Sequence, residues 1–314
     1  MDTRSSLLGR GPFVTDGGLE TDLIFHRGMD LPAFAAFPLV EEEPGRAALR
    51  AYYGEYAEIA RRAGVGLVLE SPTWRANPDW GTSLGYDADD LDRVNRDSIE
   101  LLRELRDEYA VPNTLISGTI GPRGDGYVAG EAMEPDEAAR YHSAQVASFA
   151  AAGADVASAY TLTGPEEAIG VVRAAREVGL PVAISFTVET DGRLPDGTPL
   201  ARAIEQVDED DGGPDWYLVN CAHPRHIEPG LTPGGRWRER RRAGSGGTAR
   251  RGAARGGRRP AAPRRHDRRG CAAACWCPTS SGWSSSCSPA ARAARRSGRS
   301  RRSGPRVRRS PGRR

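Results

Sequence analysis

Six short runs in this chain are almost continuously apolar: 12–18 (PFVTDGG), 65–73 (VGLVLESPT), 113–121 (NTLISGTIG), 154–163 (ADVASAYTLT), 181–190 (PVAISFTVET) and 215–222 (DWYLVNCA). Runs of this length without strict polar alternation read as strands covered on both faces, which is the condition of a parallel sheet. Between them lie helical patterns. Residues 41–64 carry acids at the start and stop at Gly64. Residues 87–109 put Leu91, Val94, Ile99, Leu102 and Leu105 near one face, with acids in the first turn. Residues 134–153 stop at Gly153 and residues 164–179 at Gly179, both good helix-ending positions. Strand and helix in regular alternation define an α/β fold. Six strands suit a doubly wound sheet, and they fall two short of a (βα)8 barrel.

The pattern stops near residue 233. After Leu231 the chain contains no Leu, Ile, Met, Phe or Tyr, and its single Val is Val307. The 44 basic residues are all Arg, and 25 of them lie from Arg236 onward, beside only Glu239 and Asp267. The first 235 residues have 19 Arg against 40 Asp and Glu, a net charge of −21, so the overall +2 is the sum of two opposite halves. A segment so charged and so poor in apolar residues cannot offset its ordering entropy. The division expected is therefore residues 1–232 as an α/β domain and residues 233–314 as a disordered basic tail.

There is no apolar stretch of signal-peptide or membrane-spanning length, which predicts a cytoplasmic protein that does not enter membranes. The five Cys (Cys221, Cys271, Cys275, Cys277 and Cys287) are an odd number and argue against a disulfide framework.

Polar groups gather where the predicted strands end. The first ends in Asp16-Gly17-Gly18, followed by Glu20. The second ends in Glu70 before SPTWRAN, the third in SGTIGPRGDGY and the sixth in Asn220-Cys221. In parallel α/β folds the carboxyl ends of strands form the ligand face. Taken singly these signals are weak, because Asp-Gly-Gly is usually a turn and a lone Cys usually a small buried hydrophobe. Their shared placement is what points to a site.

Together, TDGGLETDL, LVLESPTWRAN, SGTIGPRGDGY, PVAISFTVETDGRLPDGTPL and YLVNCAHP resemble the homocysteine S-methyltransferases, over about residues 11–231. The resemblance implies a (βα)8 TIM barrel, here incomplete with about six βα units. It implies a zinc ion that binds the homocysteine sulfur as thiolate, ready to take a methyl group from a small-molecule donor and give methionine. The chemistry is coherent: a thiol of pKa about 8.5 is mostly protonated at neutral pH, zinc removes that proton, and three protein thiolates leave the fourth tetrahedral position for substrate. Carried over, Cys221 is a zinc ligand. Asp16, with Gly17 and Gly18, helps hold the substrate amine. Glu70 and Asn220 are polar groups of the same mouth.

Two departures stand out. The family often has a Glu-Thr pair at the end of the fourth strand, and here Tyr160 precedes Thr161. The family's other two zinc ligands are adjacent Cys in a Gly-Gly-Cys-Cys-Gly run, and this chain has no Cys-Cys pair. With two of three thiolates missing, and with the first and sixth strands left as open edges, the chain as written is expected to be impaired. The tail has three readings. It is a solvated tail, an Arg-rich nucleic-acid-binding segment on a non-catalytic scaffold, or the product of a shifted reading frame. Zero Lys marks a GC-rich gene, and out-of-frame translation of such DNA gives mainly Arg, Ala, Gly, Pro and Ser. The spacing of Cys271, Cys275 and Cys277 matches no usual zinc pattern. The shifted frame, starting near residues 237–243, is the favoured reading. On that reading, residues 274–285 form no strand in the given frame.

Overall fold

The computed structural model describes residues 12–131, 133–210, 212–231 and 275–276. In chain order the elements are β1 (Phe13–Thr15), α1 (Leu19–Phe25), α2 (Glu43–Ala63), β2 (Gly66–Glu70), α3 (Pro78–Ser83), α4 (Ala88–Tyr109), β3 (Thr114–Ile120), α5 (Pro135–Ala152), β4 (Val156–Leu162), α6 (Pro165–Glu177), β5 (Val182–Phe186), α7 (Leu200–Glu209), β6 (Trp216–Val219), α8 (Pro224–Gly230) and β7 (Cys275–Trp276). Two short 3₁₀ segments lie between α1 and α2.

Strands β1 to β6 are parallel neighbours in sequence order and curl into part of a barrel, so the fold is an incomplete TIM barrel. All six expected strands form. The helix ends follow local chemistry. Asp87 and Asp90 make a reciprocal capping box at the start of α4. Helix α2 stops at Gly64 and α5 at Gly153, both with left-handed backbone that glycine adopts without a Cβ clash.

The register sorts the strand residues into two faces. Leu67, Leu69, Ile116, Ala157, Val182 and Ile184 point to the helices and join the main core with Tyr53, Leu101, Leu102 and Phe149. On the other face Phe13, Val68, Leu115 and Ala183 form a small inner cluster, with Trp216 and Leu218 packed partly buried against it. Further along that inner face, toward the strand carboxyl ends, the residues turn polar: Glu70, Ser117, Thr119, Ser158, Tyr160 and Ser185. A polar inner rim above an apolar inner layer is what places a site at this end of the barrel.

One expectation fails at the sheet edge. Strand β1 is not open: the two-residue β7 pairs with it, antiparallel, Phe13 opposite Trp276 and Val14 opposite Cys275. A strand therefore exists within 274–285 in the given frame. An unpaired edge is a row of free N–H and C=O groups that templates pairing, and β7 satisfies part of it with a backbone running opposite to the other six. Strand β6 has no outer neighbour among the described residues. The rest of 233–314, including the predicted disorder, lies outside the described residues.

The helix layer is tight where α5 meets α6. A Cβ on Gly170 would collide with the Cβ of Ala138 and lie 2.6 Å from the backbone N of Ala139. Backbone cannot yield as a flexible side chain would. Gly170→Ala is expected to cost about 2 kcal/mol by overpacking, read as a lower urea midpoint at unchanged slope.

Candidate functional site at the barrel mouth

Asp16 follows β1 directly and is 6% exposed. One carboxylate oxygen accepts from the Tyr52 hydroxyl (3.2 Å) and the other from the Glu70 backbone N–H (3.2 Å). Burial pushes its pKa well up, and the nearby Glu70 charge adds to that. Gly17 is half-buried, and the exposed Gly18 caps α1 with φ −75°, so Gly18 needs no left-handed backbone. A Cβ there would make ordinary contact with Thr21, at 3.4 Å. The glycines are thus a connection into α1, without a steric requirement for glycine at position 18.

Glu70 ends β2 and is also 6% exposed. Its Oε1 accepts from the Tyr160 hydroxyl (2.8 Å) and its Oε2 from Thr119 Oγ1 (3.2 Å). Among the described residues, every donor to this carboxylate is a neutral hydroxyl. Burial raises its pKa, and the hydroxyls of Ser117, Tyr160, Thr119 and Ser158 oppose the rise. Tyr160 stays protonated: burial first, then the Glu70 charge, raise its own pKa. Asp16, Glu70 and Tyr160 are therefore one group.

Asn220, after β6, organises a second. Its Oδ1 accepts from the Thr161 backbone N–H (3.0 Å) and Ser185 Oγ (2.8 Å). Its Nδ2 donates to Thr161 Oγ1 (3.1 Å) and to Cys221 Sγ (3.3 Å). Both residues it holds are strained, Thr161 at φ 64° and Cys221 at φ 53°. A β-branched residue in the left-handed region is uncommon, and such strain gathers where the surroundings over-determine it. Tyr160 and Thr161 are consecutive, so the two groups share one strand end.

Cys221 is exposed as a residue, and its thiol is free. Protein atoms nevertheless crowd its sulfur. That desolvation raises the thiol pKa, while hydrogen bonds from Tyr127 (3.3 Å) and Asn220 oppose it. The described residues do not fit a zinc site. Among them no group of three or more His, Cys, Asp and Glu lies close enough to hold a metal ion, and one thiol held toward its protonated form is a poor ligand.

Several residues of the mouth were not expected from sequence. Tyr127 comes from the Gly-rich loop after β3. Ser185 joins the Asn220 network beside Thr161, which the sequence had marked only as the residue after Tyr160. Arg75 is 5% exposed and lies with its guanidinium between Trp74 and Trp80, 4.1 and 3.8 Å from their ring centres. Glu20, only noted as an acid after Asp-Gly-Gly, is 9% exposed, and burial raises its pKa to about 7 against a backbone hydrogen bond and the weaker pull of Arg75.

No helix among the described residues is long and apolar enough to cross a membrane. No curated protein matches the chain in sequence. Among solved structures, the homocysteine methyltransferase MmuM from Escherichia coli is similar in fold. Its metallated form matches at 21% identity and TM-score 0.60, covering 73% of this chain and 81% of that one. Its oxidized form matches at 23% and 0.56, covering 66% and 72%. The family model described as homocysteine S-methyltransferase matches residues 13–240, well over half of the sequence. The chain belongs to the homocysteine S-methyltransferase family.

Proposed function

We propose that the barrel mouth binds homocysteine and a small-molecule methyl donor for methyl transfer to the homocysteine sulfur, giving methionine, in the cytoplasm. The observation that carries this reading is the pair of buried carboxylates, Asp16 and Glu70, fixed by backbone and neutral hydroxyls at the strand ends of a chain of this family. Two buried carboxyls without a cationic hydrogen-bond partner among the described residues form a place for a cation, and the substrate ammonium is one. Tyr160 serves by aiming Glu70. The sulfur end of the substrate would face Cys221, the zinc ligand that the family resemblance assigns.

Zinc would supply the deprotonated, nucleophilic sulfur. The described residues hold one of the three thiolates this needs, so we read the chain as impaired in methyl transfer. We also read residues 233–314 as a segment in a shifted frame. The family match ends at residue 240, inside the interval where the composition changes, which supports that reading.

Calorimetric titration of the purified chain with homocysteine tests the amine site. Glu70→Gln is expected to weaken binding about 30-fold or more, the effect of removing one partner of a buried charged pair. Unchanged affinity would remove Glu70 from the site. For the impairment, methionine formation from S-methylmethionine or S-adenosylmethionine is expected to be restored when the frame is corrected within codons 237–243. One tightly bound zinc per chain in the protein as it stands would overturn that part.

A further inference from the structure

We propose that Arg75 is the positioning residue that holds the loop after β3 as a roof over the Cys221 sulfur, and so sets the size of what reaches that sulfur. The guanidinium lies in the slot between Trp74 and Trp80. From there it donates to two successive carbonyls of the loop, NH1 to Gly124 (3.0 Å) and NH2 to Asp125 (3.0 Å). Asp125 Oδ1 in turn accepts from the Tyr127 backbone N–H (3.1 Å), and the Tyr127 hydroxyl lies 3.3 Å from Cys221 Sγ. Two residues therefore link the guanidinium to the thiol.

The loop is seated on the same wall. A Cβ on Gly121 would collide with the Trp74 carbonyl, and one on Gly126 would come within 3.2 Å of the Trp74 ring. Trp74 itself donates from Nε1 to the Tyr160 carbonyl at 3.4 Å. On its outer side the loop is tied by Arg123, to Asp79 and Glu137 through its side chain and to Glu167 through its backbone N–H. The inner ties are Asn77 to the Pro122 carbonyl (3.3 Å), Trp80 Nε1 to the Gly124 carbonyl (3.4 Å) and Arg75. Among the described residues, Arg75 alone reaches the Asp125 carbonyl. Tyr127 is 50% and Val128 67% exposed, so little apolar packing would hold the roof without it. A Lys in the slot could keep the charge but not the two-carbonyl fork, because its ammonium is a point donor.

The test needs no substrate and so stands or falls separately from the homocysteine reading. The full chain is labelled at one fixed pH with iodoacetamide or with a bulky maleimide, and modification of the Cys221 peptide is followed by mass spectrometry. Arg75→Gln is expected to speed bulky labelling of Cys221 about tenfold or more, the factor for one charge-assisted hydrogen bond lost, with a much smaller change for iodoacetamide. Deuterium uptake of residues 121–131 should rise in parallel while that of 114–120 stays as in the wild type. A uniform rise across the barrel would mark Arg75 as a general stabiliser and overturn the proposal, as would an unchanged ratio of the two reagents. Should Arg75→Gln not fold, Arg75→Lys carries the same expectations with a smaller factor.

Discussion

Glu20→Gln is expected to stabilise the protein at pH 8 by about 3 kcal/mol and to change nothing near pH 4. The folded protein holds the Glu20 carboxyl at about pKa 7, while an unperturbed glutamate titrates near 4.5. The folded state therefore binds a proton more tightly than the unfolded chain does. Stability from this group is fully present below pH 4.5 and is lost as the pH rises toward 7. Each tenfold difference in proton affinity between the two states is worth about 1.36 kcal/mol, and Gln keeps the shape of the neutral acid without the ionisation. The cause is burial, which a backbone hydrogen bond at Glu20 and the weaker pull of Arg75 oppose without cancelling. Asp16 and Glu70 are shifted in the same direction, whereas the exposed acids Asp90 and Asp92 are shifted the other way by their Arg partners. The difference between variant and wild type isolates Glu20 from all of them. Urea unfolding of both proteins from pH 4 to 8 checks it. A constant difference across that range would mean that Glu20 is ionised throughout and that its burial is compensated.

The barrel was legible in the sequence because buried parallel strands leave an unbroken signal, an apolar run bounded by Gly, Pro or Asp. Helices α2, α4, α5 and α6 were legible because they are long enough for a repeating face and end on recognisable residues. Helices α1, α3 and α8, at six or seven residues, are too short to show such a face. Helix α7 does show one, with Leu200, Ala203, Ile204 and Val207 buried, but it hides behind the polar turn DGRLPDGTPL. Strand β7 carries no strand pattern, and its pairing is set by the free edge of β1. At the site, Asp16, Glu70, Tyr160, Asn220 and Cys221 could be placed at strand ends, since strand order and length fix where the chain emerges. Their partnerships could not. Tyr160 meets Glu70 across 90 positions and Asn220 meets Thr161 across 59, and both contacts depend on curl and register. The Arg75 slot left a faint local trace, two Trp around one Arg within seven residues, that only geometry turns into a strut.

Asn220→Leu is expected to cost about 4 kcal/mol and to release the backbone at Thr161 and Cys221. Asn220 uses both amide hydrogens and accepts twice at its oxygen, which exhausts the donors of that side chain. Leu is of similar size and makes none of these bonds. Ser185 and Thr161, 0% and 2% exposed, would each keep a buried polar group without its present partner, at about 1 to 3 kcal/mol apiece. Backbone strain adds a second effect. Thr161 and Cys221 sit in the left-handed region at a cost of about 1 to 3 kcal/mol each, and the Asn220 network is what holds the two together. Without it the cheapest relaxation returns both backbones toward extended geometry and moves the Cys221 sulfur away from Tyr127. Urea unfolding measures the first effect, and the labelling rate of Cys221 the second. A double variant, Asn220→Leu with Thr161→Gly, separates them, because glycine occupies the left-handed region without strain. If the network holds the strained pair, the backbone is already relaxed in Asn220→Leu and the second substitution has no left-handed strain left to relieve, so it lowers stability by more than Thr161→Gly does alone. If it lowers stability further by its usual amount, the two sites are independent and the strain is held by something other than Asn220.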